Sequence, residues 1–248
     1  MDWFEGRTAV VTGAARGIGE AIVRQLADLG AGVVAVDVDG DALHTAFPDD
    51  GVVRAVGDLG GEDTAGLAAE IVAAHGPATL LVNNVGIDTH HDFLGLDPVD
   101  FDRVMATNLR GPWFFTRRIA EDLIDRDAAG AFVFVSSLHD HFVRLLPHYS
   151  ASKAAVAMLV RELAQQLGPH RIRVNAVSPG VIPRAHLPGV TPEETQGYAL
   201  FPLGRPGEPR DVARVAAVLL SDEWCGYVTG ANVPVDGGLG LHSWSLHG

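Results

Sequence analysis

Residues 8–30 read TAVVTGAARGIGEAIVRQLADLG, and this stretch decides the fold. Its apolar, β-branched beginning predicts a buried strand over Thr8–Val11. The segment after it predicts a helix whose apolar face consists of Ile18, Ile22, Leu26 and Leu29. Gly30 stands where a glycine commonly ends a helix. With a second strand expected over Gly32–Val36, this is a right-handed βαβ unit.

The same alternation of short β-branched runs and longer helical segments continues along the chain. It predicts an α/β fold, a doubly wound sheet of about seven parallel strands with helices on both faces. The further strands are expected over Val52–Val56, Leu80–Val82, Phe132–Val135, Ile172–Val177 and Ala231–Val235. The further helices are expected over Glu62–His75, Asp97–Met105, Leu109–Asp125, Tyr149–Leu167 and Asp211–Leu220. No repeat, low-complexity tract or charge block marks a boundary, so we expect one domain over residues 1–248.

Composition excludes several classes of protein. With 248 residues and 47% hydrophobic content, the chain can bury a large core and is no disordered tail. Its formal charge of −13 repels phosphate backbones and anionic lipid, so we expect no nucleic-acid and no membrane partner. A single cysteine, Cys225, and an N-terminus without room for a signal peptide favour a cytoplasmic protein. A small-molecule ligand is the class that remains.

The turn between the first strand and the first helix contains Gly13, Gly17 and Gly19. Glycines let the backbone approach a pyrophosphate closely, and the helix N-terminus offers free N–H groups and a partial positive charge. The Gly-x3-Gly-x-Gly spacing differs from the commonest dinucleotide fingerprint, and glycine turns also serve packing alone. Its position inside a βαβ unit favours dinucleotide binding.

Asp37 closes the second predicted strand. An acidic side chain there accepts hydrogen bonds from both hydroxyls of an adenosine ribose and repels a 2′-phosphate. The alternative is that Asp37 only caps the next helix or builds a turn. We expect NAD as the cofactor, with NADP less favoured.

Tyr149 and Lys153 lie four residues apart on a predicted helix, so their side chains share one face. A free phenol has a pKa of about 10, and a neighbouring ammonium lowers that pKa towards the range of proton exchange at neutral pH. Such a pair alone is common by chance, and the motifs around it decide its meaning.

Seven motifs in order resemble those of the short-chain dehydrogenase/reductase family, over essentially the whole chain. They are Thr12–Gly19, Asn83–Gly86, Asn108–Gly111, Ser136-Ser137, Tyr149 with Lys153, Pro179-Gly180 and Val235–Gly238. The resemblance implies a Rossmann-type domain and an oxidoreductase that transfers hydride between a CH–OH group and a nicotinamide cofactor.

The resemblance also implies catalytic roles. Tyr149 is the general acid or base, while Lys153 holds the nicotinamide ribose and lowers the tyrosine pKa. Asn108 anchors a water in the proton path, and a serine binds the substrate oxygen. Ser136 has the spacing to Tyr149 that the family usually shows, but in the family the catalytic serine is usually the second of the pair. A one-residue deletion in the loop Leu138–His148 is easier to absorb than a one-residue slip of the strand, which would turn the side chain to the other face. We therefore expect Ser137 to be the catalytic serine.

The cofactor contacts follow from the same resemblance. They are Gly13, Arg16, Gly17, Ile18, Gly19, Asp37, Asp58, Leu59, Asn84, Gly86, Tyr149, Lys153, Pro179, Gly180 and Ile182. For Asn84 and Gly86 a purely structural role is an equally good interpretation. The family usually has a threonine where Arg184 stands. Either the backbone holds the carboxamide, or Arg184 faces the pyrophosphate or an anionic substrate.

The loops after the fourth, fifth and sixth strands are expected to wall the substrate pocket. Six of the 11 histidines lie there, namely His90, His91, His139, His141, His148 and His186, and they favour a polar, hydroxylated substrate. We expect His139, Arg144 and Arg184 as substrate contacts, a lid over residues 183–209, and no metal. The segment around Ser137 and Tyr149 looks most like glucose and polyol dehydrogenases.

The expected activity is therefore NAD-dependent oxidation of a secondary alcohol or a sugar hemiacetal. One alternative is a 3-oxoacyl-thioester reductase, which Asp37 and the charge of −13 disfavour. The other is a non-catalytic nucleotide-binding protein.

The helix Tyr149–Leu167 carries apolar residues on more than one face, and relatives pair through it. We expect a homotetramer, with a homodimer as the second choice.

Overall fold

Seven parallel strands form one sheet in the computed structural model, which describes residues 3–49, 51–143, 145–183 and 201–241. The strands are β1 (Thr8–Thr12), β2 (Gly32–Asp37), β3 (Val52–Val56), β4 (Leu80–Asn83), β5 (Gly130–Val135), β6 (Ile172–Pro179) and β7 (Asn232–Val235). Their order across the sheet is β3-β2-β1-β4-β5-β6-β7. The predicted doubly wound α/β fold is confirmed, and its order reverses between β1 and β4, where such sheets bind ligands at the carboxyl ends of the strands.

The helices lie close to their predicted positions. They are α1 (Gly17–Asp28), α2 (Gly40–Ala46), α3 (Thr64–His75), α4 (Pro98–Met105), α5 (Gly111–Asp125), α6 (Pro147–Leu167), α7 (Pro209–Leu220) and α8 (Asp222–Cys225). The sequence pattern did not predict α2 or α8, because helices of 7 and 4 residues are too short to display a helical period. Helices α6 and α7 begin two residues earlier than predicted, each with a proline, which suits a first turn because it has no N–H to leave unpaired. No helix in the described ranges is long and apolar enough to cross a membrane.

Two apolar layers cover the two faces of the sheet. Ala9 and Val11 of β1 face the layer that contains α1 and α7, whereas Val10 faces the layer that contains α3, α5 and α6. Successive strand side chains point to opposite faces, so a central parallel strand is apolar at every position. This is why β1 reads as a continuous apolar run in the sequence.

The predicted lid over residues 183–209 falls largely on residues 184–200, which lie outside the described residues. Its later part is described. Phe201 is buried and forms a small apolar cluster with Leu138 and Leu239. This segment therefore packs on the loop that follows β5, at the carboxyl end of the sheet.

Candidate active site

The β1–α1 turn forms a cradle of backbone atoms. Gly13 and Gly17 have backbone φ angles of +62° and +61°, which residues other than glycine rarely adopt. A Cβ on Gly17 would meet nothing within 4 Å. At Gly19 a Cβ would lie 2.0 Å from the Gly13 carbonyl oxygen. Arg16 is the N-cap residue of α1, yet no side chain caps this helix terminus. The open space, the close backbone packing and the uncapped N–H groups fit the pyrophosphate of a dinucleotide.

Asn84 holds this cradle from the neighbouring strand. Its Nδ2 donates to the carbonyl oxygens of Thr12 (3.1 Å) and Gly13 (2.8 Å), and its backbone N–H donates to Thr12 Oγ1 (3.1 Å). Both amide hydrogens of the side chain are therefore engaged with the turn. Of the two interpretations of Asn84, this geometry favours the structural one.

Asp37 lies directly beside the cradle, at the end of β2. Its Oδ2 accepts from the Ala15 N–H (3.0 Å) and its Oδ1 from the Asp39 N–H (3.1 Å). The cap of α2 is Asp39, which accepts from the Ala42 N–H (2.9 Å), so Asp37 does not cap that helix. The bond from the Asp39 N–H shows that Asp37 does build the turn after β2. Arg16 forms an ion pair with Asp39. The pKa of Asp39 lies below its ordinary value, mainly because of the hydrogen bond from the Ala42 N–H and to a smaller extent because of the ion pair with Arg16.

The remaining predicted cofactor residues lie along the same edge of the sheet. Asp58 follows β3 and accepts from the Gly60 N–H (2.7 Å), while Leu59 is buried beneath it. Ile18 lies in the first turn of α1. At the end of β6, the Gly180 N–H donates to the Val235 carbonyl (3.0 Å), and Ile182 lies two residues further on. The structure brings all of these residues to the carboxyl ends of the strands.

Lys153 is buried beside Tyr149 on α6. Its side chain is nearly inaccessible, its Nζ donates to the Val135 carbonyl (2.9 Å), and its Nζ lies 5.7 Å from the centroid of the Tyr149 ring. Burial lowers the pKa of Lys153 to about 8, and the charge of Asp140 acts in the opposite direction. A Cβ on Gly86 would lie 3.1 Å from Lys153 Nζ, so a larger residue there would press on the ammonium.

Asn108 lies in a π-helical turn, Ala106–Arg110, between α4 and α5. Its Oδ1 accepts from the Ile87 N–H (2.8 Å), and its Nδ2 donates to the Ile87 carbonyl (2.9 Å) and to Ser152 Oγ (3.0 Å). The side chain thus ties the strand-end loop after β4 to α6. The sequence predicted an ordinary α-helix from Leu109, because a single π-helical turn is too short to produce a hydrophobic period that differs from that of an α-helix. Such turns are frequent at functional sites.

The two candidate serines point in opposite directions. Ser137 lines a cavity with Tyr149, and its Oγ accepts from the His139 N–H (3.2 Å). Ser136 is turned away, with its Oγ 3.2 Å from Asp140 Oδ2 and 3.3 Å from the Lys153 carbonyl oxygen. Ser137 is therefore the serine whose side chain shares a cavity with the tyrosine.

Two adjoining spaces open beside these residues. The small cavity has a volume of about 230 Å³ and is lined by Ser137, Tyr149, Asp88, Gly180 and Ile182 among others. The apolar groove next to it has a volume of about 770 Å³, and its rim carries Phe93, Leu94, Val143 and Leu145, each at least 80% exposed. His139, Phe142 and Leu146 line both spaces.

The predicted substrate contacts are only partly described. His139 lies at the site, with its ring edge-on to Tyr149 at 5.0 Å between centroids. Arg144, Arg184 and His186 lie outside the described residues. His90 pairs with Asp88, and His91 with Asp100.

His148 is buried on α6, with its Nε2 2.9 Å from Thr89 Oγ1. His90, His91 and His148 are thus engaged with protein groups, which weakens the argument from histidine density for a polar substrate. Within the described ranges, no three His, Cys, Asp or Glu side chains are grouped to hold a metal.

Sequence reasoning missed Asp140. The side chain is 3% exposed, and its Oδ2 accepts from Asn232 Nδ2 (2.6 Å) and lies 2.7 Å from Ser178 Oγ. No local pattern could have found this cluster, because Ser178 and Asn232 are 38 and 92 residues away in the sequence.

Known proteins similar to this chain are oxidoreductases. A family model described as enoyl-(acyl carrier protein) reductase matches residues 13–240. The chain is 36% identical to the (3R)-3-hydroxyacyl-CoA dehydrogenase of Mus musculus, over 93% of this chain and 95% of the relative. It is 35% identical to galactitol 2-dehydrogenase (L-tagatose-forming) of Cereibacter sphaeroides, over 95% of each chain. A crystal structure of 3-ketoacyl-(acyl-carrier-protein) reductase from Brucella melitensis, complexed with NADH, matches with a TM-score of 0.85 at 30% identity, over 95% of this chain and 99% of that one.

Proposed function

We propose that this chain, which belongs to the short-chain dehydrogenase/reductase family and is an oxidoreductase, oxidises a secondary alcohol or a sugar hemiacetal with NAD. The observation that carries the proposal is the meeting of Ser137 and Tyr149 on one small cavity, with the buried ammonium of Lys153 5.7 Å from the tyrosine ring. A phenol, a hydroxyl donor and a fixed positive charge are the groups that proton removal from an alcohol requires.

The protein's part in the reaction is to hold and move one proton. Bound NAD supplies the hydride acceptor. Tyr149, as the phenolate, takes the proton of the substrate hydroxyl while Ser137 Oγ donates a hydrogen bond to the substrate oxygen. The Lys153 ammonium stabilises the phenolate, and because the pKa of Lys153 is about 8, it carries that charge at neutral pH. Asn108 fixes the loop after β4 against α6, the helix that carries Tyr149 and Lys153, and so keeps these two side chains in position.

NAD is favoured over NADP by the charges at the end of β2. Asp37 stands beside the glycine cradle and would oppose a 2′-phosphate. Arg16, the nearby cation that such a phosphate would need, is already paired with Asp39. Both features support a preference for the cofactor without the phosphate.

The apolar groove favours a second candidate substrate, a 3-hydroxyacyl thioester. The groove adjoins the small cavity, with His139, Phe142 and Leu146 lining both, so a chain attached to the reacting carbon would extend towards it. Burial of apolar surface would stabilise an acyl chain there, while a polyol gains nothing from such walls. The relative from Mus musculus is named for this substrate class.

Absorbance-monitored reduction of NAD, across polyols, aldoses and 3-hydroxyacyl thioesters, tests both candidates. The proposal expects turnover with at least one of these classes and its loss in Tyr149→Phe. Turnover confined to thioesters would select the second candidate. Turnover that Tyr149→Phe retains would contradict the mechanism, and absence of turnover with every class would contradict the function.

We also propose that the protein is a homotetramer. On α6, Met158 is 52% exposed and Ala154 is exposed, and on α5 Trp113 and Phe114 are 48% and 40% exposed. Exposed apolar side chains on these two helices favour association. Sedimentation equilibrium at micromolar concentration measures the state directly; a dimer would be the second choice, and a monomer would contradict the proposal.

A further inference from the structure

A buried carboxylate lines the apolar groove beside the catalytic cavity. Asp140 ends the short turn Leu138–Asp140 that follows Ser137, and only 3% of its side chain is exposed. Its Oδ2 accepts from Asn232 Nδ2 on β7, and the hydroxyls of Ser178 on β6 and Ser136 after β5 lie within 2.7 and 3.2 Å. One amide donor and two hydroxyls, from β7, β6 and the residue after β5, thus surround one oxygen of the carboxylate.

The same cluster adjoins the acceptor of the Lys153 ammonium: Nζ donates to the Val135 carbonyl (2.9 Å), and the next residue, Ser136, has its Oγ 3.2 Å from Asp140 Oδ2. The same hydroxyl lies 3.3 Å from the Lys153 carbonyl oxygen. Lys153 itself has only a carbonyl oxygen, that of Val135, as an acceptor for its Nζ among the described residues. A buried ammonium without a counter-charge loses more free energy to desolvation than one carbonyl returns.

The sequence singles out the same lysine. Lys153 is the chain's only lysine; the other 17 of its 18 basic residues are arginines. An ammonium is compact and readily loses its proton when it is buried, whereas a guanidinium stays charged. A buried ammonium at this position therefore needs a partner that keeps it charged.

We propose that Asp140 is a positioning residue for Lys153, whose buried carboxylate supplies the counter-charge that keeps the ammonium protonated inside the site. The role in catalysis rests on the proposed function, but the effect on Lys153 does not. Asp140 borders the groove, but with only 3% of its side chain exposed its assigned role is towards Lys153 and not towards substrate or cofactor. It acts through the lysine, and its contacts with Asn232, Ser178 and Ser136 keep it in place.

Other titratable groups around this pair do not replace Asp140. On α6 they are Tyr149 and His148, the latter bonded to Thr89. The turn after β5 contributes His139, whose ring packs on Tyr149, and His141, whose Nδ1 pairs with Asp140 Oδ1. The carboxylates at the neighbouring strand ends are engaged elsewhere: Asp88 pairs with His90, and Asp236 accepts from the Gly240 N–H. Asp140 is the carboxylate whose charge raises the pKa of Lys153.

The single lysine permits a direct test in the cofactor-free protein. Lysine labelled with ¹³C at Cε gives one side-chain signal, and its titration between pH 6 and 11 reports the pKa of Lys153. The variant Asp140→Asn removes the charge but leaves an amide oxygen that accepts from Asn232 and Ser178. Its matched control is His141→Ala, which keeps the carboxylate and removes the partner on its other oxygen.

The proposal expects the pKa of Lys153 to fall by about one unit in Asp140→Asn, because an opposite charge nearby is lost. It expects a change below about 0.3 unit in His141→Ala, since that imidazole is half exposed and screened by solvent. A fall smaller than about 0.3 unit in Asp140→Asn, or an equal shift in both variants, would overturn it. If Asp140→Asn fails to fold, Asp140→Ser, which is also uncharged and smaller, carries the same test.

A second measurement separates this inference from the proposed function. A protonated Lys153 is required for turnover, so kcat/KM for alcohol oxidation falls as pH rises through the pKa of the lysine, about 8 in the parent chain. In Asp140→Asn this fall moves to lower pH by the shift that the titration measures. Absence of turnover would contradict the function and leave the titration result standing. Turnover with an unshifted profile would contradict the role of Asp140 in catalysis.

Discussion

The two ends of the active site are built differently. The nucleotide end consists of backbone: a glycine turn, a helix N-terminus and the ends of β1 and β2, held by hydrogen bonds between neighbouring strands. The substrate end consists of side chains on the segments after β4, β5 and β6, and its walls are an apolar groove with a rim that lies open to solvent. Ser137 and Tyr149 lie where the two ends meet.

This difference explains what each end tolerates. A backbone cradle serves one shape of ligand, and a Cβ in the wrong place destroys it, as the 2.0 Å approach at Gly19 shows. A groove of exposed side chains exchanges residues without disturbing the sheet, so it can change substrate while the chemistry stays the same. We therefore expect large effects at the shared centre and the cradle, and graded effects in the groove.

The largest effect is expected where both ends meet. Tyr149→Phe removes the hydroxyl that exchanges the proton but keeps the ring, so kcat should fall by at least about a hundredfold. Isothermal titration should give an NAD affinity within about twofold of the parent chain. If the variant also loses NAD binding, the centre belongs to the nucleotide end and the division proposed here is wrong.

The next effect probes the cradle. In Gly19→Ala the new Cβ would lie 2.0 Å from the Gly13 carbonyl oxygen and 2.6 Å from Asn84 Nδ2, so the turn must shift. The Kd for NAD should rise more than about tenfold, or about 1.4 kcal/mol. Gly168→Ala is the matched control, because a Cβ there meets nothing within 4 Å and the residue lies beyond the end of α6. Equal binding by both variants would show that the cradle does not carry the affinity.

Sequence reasoning could place the glycine turn and Asp37 side by side because the information for them is local. Glycine spacing in a βαβ unit and an acidic strand end are read within a few residues, and the turn and Asp37 lie together as that pattern requires. It could not predict Asp140, whose partners Ser178 and Asn232 are 38 and 92 residues away. Nor could it predict that His148 would face Thr89, since burial of a loop or helix start depends on tertiary packing.

A smaller effect is expected at the charges that select the cofactor. Asp37→Ala should lower the ratio of kcat/KM with NAD to that with NADP by about tenfold, because the like charge opposing a 2′-phosphate is lost. Asp39→Ala should lower the ratio by about threefold, since it releases Arg16 from its ion pair. Asp41→Ala, an exposed carboxylate in the first turn of α2, is the control. A parent chain that prefers NADP would contradict the assignment of Asp37.

The smallest effect is expected in the groove, and it decides between the two candidate substrates. Leu94 and Leu145 are 91% and 82% exposed on the groove rim, so each contributes only part of the apolar burial that a filled pocket would give. Leu94→Ser and Leu145→Ser should each lower kcat/KM for a long-chain 3-hydroxyacyl thioester by about fivefold, or about 1 kcal/mol, and leave kcat/KM for a polyol within about twofold. Val99→Ser, 75% exposed on α4 and outside the groove lining, should change neither value. Because Tyr149 and the cradle are unaltered in all three variants, a loss that depends on acyl-chain length can arise only where the chain lies. If Leu94→Ser and Leu145→Ser change kcat/KM for the thioester no more than they change it for the polyol, the groove takes no part in binding the acyl chain. The polar-substrate proposal would then stand without a rival.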